Sequence, residues 1–152
     1  MRINIICVGK LKEKYLVEAQ TEYLKRLSRF CDVKIVELND EKDDAVEALE
    51  KEGSKILSKI DTKDYVICLA LEGIKMDSEG FSDRLTAIFD SAKPTIDFVI
   101  GGSLGLGDKV KSRADLLLSF SDMTFPHQLM RIILLEQVYR AYKIAKNESY
   151  HK

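Results

Sequence analysis

A chain of 152 residues with 45% hydrophobic and 32% charged side chains is the size and make-up of one globular domain, and too apolar to be read as disordered. The net charge of −1 excludes a protein that grips polyanions by bulk charge. It is unevenly spread: residues 1–30 sum to +4, residues 31–108 to −9 and residues 109–152 to +4, which permits one phosphate-attracting face.

In chain order, Arg2–Val8 is β-branched and apolar and bounded by Gly9, as a strand should be. Glu13–Phe30 has helical spacing, with Tyr15, Ala19, Tyr23 and Leu27 as its apolar stripe. Asp32–Leu38 alternates apolar and polar, which predicts a strand with one exposed face. A helix is expected over Ala45–Ile60, with Ala48, Leu49, Ile56, Leu57 and Ile60 inward. Tyr65–Leu71 is almost wholly apolar, as in a strand covered on both faces. Asp77 or Ser78 caps a helix to about Phe89, and Thr95–Ile100 is a fourth strand. A short helix near Asp108–Ala114, a brief strand Asp115–Ser119 and a long helix from about Pro126 to Asn147 complete the chain. Strands alternating with helices predict an α/β fold, a mostly parallel sheet with helices on both faces, as a single domain over residues 1–152.

The last helix carries two apolar stripes, one through Leu129, Ile132, Leu135, Tyr139 and Tyr142, the other through Met130, Ile133, Leu134, Val138, Ala141 and Ala145. A helix apolar around most of its circumference is packed on two sides, and a second copy of the chain is the expected second partner. Three cysteines, with no CxxC pair, point to reduced, buried thiols in a cytoplasmic protein and against a structural zinc. No run is long and apolar enough for a membrane span, and no signal peptide is expected.

Two segments carry candidate chemistry, each at the carboxyl end of a strand, where ligands settle in open α/β sheets. Gly101–Gly107 bares backbone for a ligand, with neither the spacing of a dinucleotide fingerprint nor the Gly-Lys-Ser/Thr of a P-loop. Ser119–His127 mixes hydrogen-bonding Ser121, Asp122 and Thr124 with apolar Phe120, Met123 and Phe125, a surface suited to an adenosine-like ligand. On the closing helix, His127 with Arg131 and Glu136 with Arg140 are four apart and share faces; each pair is also what an ordinary surface interaction looks like.

The turn IGGSLGL, the join LSFSDMTFPHQLMR, the segment LLEQVYRAYKI, the terminal YHK and the opening INIICVGKLKEKY together resemble the RlmH family of large-subunit ribosomal RNA methyltransferases, over essentially the whole chain. The resemblance implies a SPOUT-type α/β fold with a C-terminal trefoil knot, which periodicity gave no hint of and ordinary topology rules disfavour. It implies a homodimer that transfers a methyl group from S-adenosyl-L-methionine to N3 of a pseudouridine in 23S rRNA, on assembled ribosomes. By motif, Leu69, Gly101 and Phe120, Ser121, Asp122, Met123, Thr124 and Phe125 would bind the cofactor. His127, Arg131, Glu136 and Arg140 would face the RNA, and Arg140, Tyr150, His151 and Lys152 would serve catalysis. Relatives often end in arginine where this chain has Lys152, which keeps the charge but not the planar fork. The alternatives are a knotted methyltransferase for another tRNA or rRNA site, and a non-catalytic ribosome-associated RNA-binding dimer.

Overall fold

The structure, a computed structural model, describes residues 1–93 and 95–152. Strands and helices alternate throughout: β1 (Arg2–Val8), α1 (Lys14–Leu27), β2 (Asp32–Leu38), α2 (Ala45–Leu57), β3 (Tyr65–Ile74), α3 (Ser78–Asp90), β4 (Thr95–Ile100), α4 (Asp108–Arg113), β5 (Leu116–Leu118) and α5 (His127–Ala145). The strands form one parallel sheet in the order β2-β1-β4-β3-β5. Central β4 is buried at every position, while edge β2 alternates exposed and covered residues. That is the difference between a strand roofed on both faces and one at a margin. Helices α1, α3 and α5 cover one face around Ile5, Phe98 and Leu134. Helices α2 and α4 cover the other around Ile6, Val99 and Val110.

Three expectations need correction. The inward face of α1 is set by Leu16, Tyr23, Leu24 and Leu27, and Tyr15 is 67% exposed. Steps of four residues gain about 40° each on a helix of 3.6 residues per turn, so a stripe of strict fours rotates off the core. Strand β3 runs on to Ile74, three residues past the apolar stretch. Pro126 is the cap before α5, with ψ at 135°, rather than part of its first turn. The doubly apolar α5 also finds its second partner within the chain, since it lies between α1 and α3 on the sheet and buries Ile132, Leu134, Leu135, Val138 and Ala141. A second copy is therefore not needed to explain that helix.

The extension of β3 decides the topology. Its pairing with β5 breaks register between Leu69 and Ile74, then resumes at Ile74 opposite Leu118, where Ser119 N–H donates to the Ile74 carbonyl at 2.9 Å. The link from β3 to α3 thus crosses the chain as it leaves β5 at the sheet's margin for α5 in the interior. A Cβ on Gly73 would stand 2.6 Å from backbone atoms of Leu117 and Leu118, so the crossing closes only over glycine.

Buried polar groups are few. Cys7, Cys31 and Cys68 are free and buried, and burial pushes the Cys7 and Cys68 thiols up to about 12. Asp97, fully buried on β4, accepts from Asn4 Nδ2 at 2.7 Å, and its second oxygen has no partner. Burial, reinforced by the neighbouring Asp64 carboxyl, raises Asp97 from 3.8 to about 6, against the Asn4 bond that favours its anion. A folded acid that holds its proton above the unfolded pKa contributes stability below 3.8 and loses it as pH rises through about 6. Asp97→Asn keeps the Asn4 contact without the buried charge. We expect it to stabilise the fold at pH 7 by up to roughly 3 kcal/mol. Urea titrations at pH 4 and pH 7 should show the gain at the higher pH alone.

Candidate functional site

The connections leaving β3, β4 and β5 meet at the carboxyl edge of the sheet and enclose a cavity of about 240 Å³. Leu69 and the residues after it form one side. The turn after β4 forms the second, and the segment from Leu118 to Phe125 the third, with His127 and Met130 closing from α5. The glycine turn folds back on itself: Gly105 N–H donates to the Gly102 carbonyl at 3.0 Å, and a Cβ on Gly101 would lie 2.5 Å from the Gly105 carbonyl oxygen. Any side chain at Gly101 would open that turn. The opposing loop is braced internally, since Ser119 Oγ donates to the Ser121 carbonyl at 3.0 Å and Met123 N–H to Ser121 Oγ at 3.0 Å. Phe120 is anchored edge-on against Phe81 of α3, with ring centroids 6.3 Å apart.

Of the residues expected around a cofactor, Leu69, Gly101, Phe120, Ser121, Met123, Thr124 and Phe125 line this cavity. Asp122 does not: its side chain is 84% exposed and pairs with Lys75 on the far side of the crossing. Sequence reasoning missed Glu72 and Lys111, which form an ion pair on the cavity wall that holds the Glu72 carboxyl below its ordinary range. They sit 39 positions apart, and the unrecognised extension of β3 is what brings Glu72 there.

A second cluster gathers on α5 and the tail. Glu136 Oε1 accepts from Arg140 Nε at 3.0 Å and from the Tyr150 hydroxyl at 3.1 Å. The Arg140 guanidinium lies 4.8 Å from the centre of the Tyr150 ring, with Nη1 3.2 Å from His151 Nδ1, and Tyr139 meets Tyr150 edge-on at 4.9 Å. Glu136 holds Arg140 firmly protonated, while burial and the Glu136 charge push the Tyr150 phenol up to about 12. The tail is therefore pinned at Tyr150, while His151 and Lys152 are exposed. His151 lines a cavity whose wall includes Phe120 and Phe125, the same rings that face the first one. Arg140, Tyr150, His151 and Glu136 are thus brought together, and His127 lies apart from them against the first cavity.

Arg131 departs from expectation. It is 1% exposed and donates to Glu37 at 2.7 Å, Gln20 at 3.2 Å and the Gly9 carbonyl at 3.1 Å. A guanidinium so enclosed has no surface left for an RNA phosphate; it ties α5 to α1, β2 and the end of β1. Among the described residues no helix is long and apolar enough to cross a membrane, and no group of three metal-ligating side chains occurs.

The family model described as "Predicted SPOUT methyltransferase" matches residues 1–151. The chain belongs to the SPOUT methyltransferase family. Within it, curated proteins named "Ribosomal RNA large subunit methyltransferase H" are similar over all of both chains: 57% identical in Clostridium novyi (strain NT), 53% in Leuconostoc mesenteroides subsp. mesenteroides and 52% in Streptococcus uberis. This RlmH membership means that the protein is a methyltransferase, which needs a methyl donor. Among solved structures, "a probable methylase family protein from Haemophilus influenzae Rd KW20" aligns with a TM-score of 0.59 over 99% of this chain and 70% of its own, at 13% identity. That likeness speaks to the fold alone, and together with the family match it supports an α/β knot-type fold.

The clamp made by Arg131 is testable by stability. Arg131→Met removes the bond to the partly exposed Glu37 and takes its donor from the Gly9 carbonyl, a loss of about 1–3 kcal/mol. Guanidinium unfolding should show a loss in that range, against less than about 1 kcal/mol for the exposed pair-breaking Lys14→Met.

Proposed function

We propose that the protein transfers the methyl group of S-adenosyl-L-methionine to N3 of a pseudouridine in 23S rRNA of the large ribosomal subunit, acting as a homodimer on assembled ribosomes. The observation that carries this reading is the cavity between the glycine turn and the Phe120–Phe125 loop, on a chain that matches curated large-subunit rRNA methyltransferases from end to end. Apolar Leu69, Phe120 and Phe125 with bare backbone at Gly101 suit a flat adenine and a ribose whose heteroatoms seek main-chain partners. Ser121, Met123 and Thr124 complete that lining, while Asp122, paired outside with Lys75, steadies the loop from solvent.

When bound, the cofactor supplies a methyl group already activated on a sulfonium. The chain's own task is alignment, and care of the proton on an imide nitrogen. Arg140 is fitted to favour the imide anion: Glu136 and the Tyr150 ring fix its guanidinium while leaving part of it toward His151 and solvent. Lys152 extends that positive end, His151 adjoins it with Nδ1 accepting from Arg140, and Glu136 serves RNA recognition by holding the arrangement. Within one chain, His151 lies behind the Phe120–Phe125 wall from the donor cavity, which favours a site where one protomer's tail serves its partner's cavity. With a net charge of −1, binding would depend on such a composite basic face and on RNA shape rather than on bulk charge.

The test is radiolabelled methyl transfer to ribosomes lacking the modification, with mass spectrometry of the product nucleoside. Label at N3 of pseudouridine is the expected result; label in tRNA or at another rRNA position would send the substrate assignment elsewhere. The His151→Ala, Lys152→Ala double variant should transfer about 10²-fold more slowly while binding S-adenosylhomocysteine within about twofold of the parent. Near-parental turnover would remove the tail from the chemistry.

A further inference from the structure

Two groups able to handle a proton stand uncommitted at the carboxyl edge of the sheet. Four acidic neighbours in the chain are engaged: Glu37 with Arg131, Glu41 with Lys55, Asp43 with Lys51, and Asp44 as the cap of α2. Asp40 and His127 take part in none of these. Both face the same point. A Cβ on Gly9 would stand 3.1 Å from Asp40 Oδ1 and 3.5 Å from His127 Nε2. The missing side chain, at a left-handed φ of +99°, leaves a notch in the backbone with a carboxylate on one side and an imidazole on the other. His127 also lines the donor cavity, as does Gly102, whose own Cβ position is 3.8 Å from Asp40 Oδ1. The notch therefore opens beside the space assigned to the methyl donor.

We propose that His127 accepts the proton of the methylated imide, and that Asp40, across the Gly9 notch, orients the imidazole and stabilises its charged form. The proposal rests on the assignment of the cavity to S-adenosylmethionine and of N3 as the methylated atom. In the step, the N3–H proton passes to a ring nitrogen of His127 and the N3 electron pair forms the bond to the methyl carbon. The methyl–sulfur bond breaks with its electrons going to sulfur, leaving neutral S-adenosylhomocysteine, and His127 later releases the proton to water. Histidine suits the role because an imidazole nitrogen can take up a proton and pass it on to water.

The charged groups around His127 do not usurp the part. Arg131, one turn on, is consumed by Glu37 and the Gly9 carbonyl. On the β1–α1 connection, Lys10 adjoins Gly9, and Lys12 approaches through its backbone N–H, which donates to Gln128 at 3.0 Å. Glu72 and Lys111, on the cavity wall, neutralise one another. Asp40 is the carboxylate that the Gly9 notch sets opposite the ring.

The experiment measures single-turnover transfer to ribosomes lacking the modification across pH 5–9, with S-adenosylhomocysteine affinity by calorimetry on the same full-length proteins. His127→Asn should slow transfer by about 10²-fold or more and abolish the acid limb of the pH profile, with affinity within about twofold. Asp40→Asn should slow it by about tenfold, again without loss of affinity. Imidazole added to His127→Ala should restore part of the rate, which a merely structural histidine would not allow. Transfer by His127→Asn within about threefold of the parent, an unchanged acid limb, or no response to imidazole would each overturn the proposal. A parent protein that binds S-adenosylhomocysteine yet methylates no ribosome overturns the functional assignment beneath it instead, and the proposal with it.

Discussion

The close approach of two backbones at Gly73 is the constraint from which the rest of this molecule follows. Strand β3 outlasts its register with β5, pairs again at Leu118, and passes so near the departing chain that even a methyl group would strike Leu117 and Leu118. Because of that pass, the segment after β5 is pressed back against the ends of β3 and β4 instead of trailing off the sheet's margin. The cavity walls are thus set by backbone packing, and its apolar lining is a by-product of the crossing as much as of residue choice.

Much of the architecture could be read from one sequence because it depends on local pattern. β1, β2 and β4 have the bounds that their apolar runs predict, and Asp77 caps α3 through Gly80 as its position suggests. What escaped depends on tertiary context. The last three residues of β3, Glu72, Gly73 and Ile74, bring a charge and a glycine where the partner is a short strand and a crossing chain, so they lack the signature of a buried strand. Knotting leaves no periodic trace at all; the resemblance of motifs supplied it.

The site residues divide along the same line. Leu69, Gly101 and most of the Phe120–Phe125 loop sit at strand ends, where chemistry and topology agree, and seven of those eight positions reach the cavity. Arg131 misled because helical spacing shows which residues share a face and not how deep that face lies. The face it shares with His127 dips from cavity wall to core within one turn. Glu72 and Asp40 sit in the strongly acidic middle segment and Lys111 in the basic end, and nothing in sequence separates them from their solvated neighbours. Asp97 inverts the case: a carboxyl inside TIDFVI passes for a tolerated blemish, yet it is the most deeply enclosed acid of the sheet.

Phe120 and Phe125 are a partition between two chambers, one on the side of the glycine turn and one on the side of His151. Phe120 is braced edge-on by Phe81, whereas Phe125 has no such aromatic brace among the described residues. Because the same two rings line both chambers, a change of side chain at either position reshapes the two spaces together.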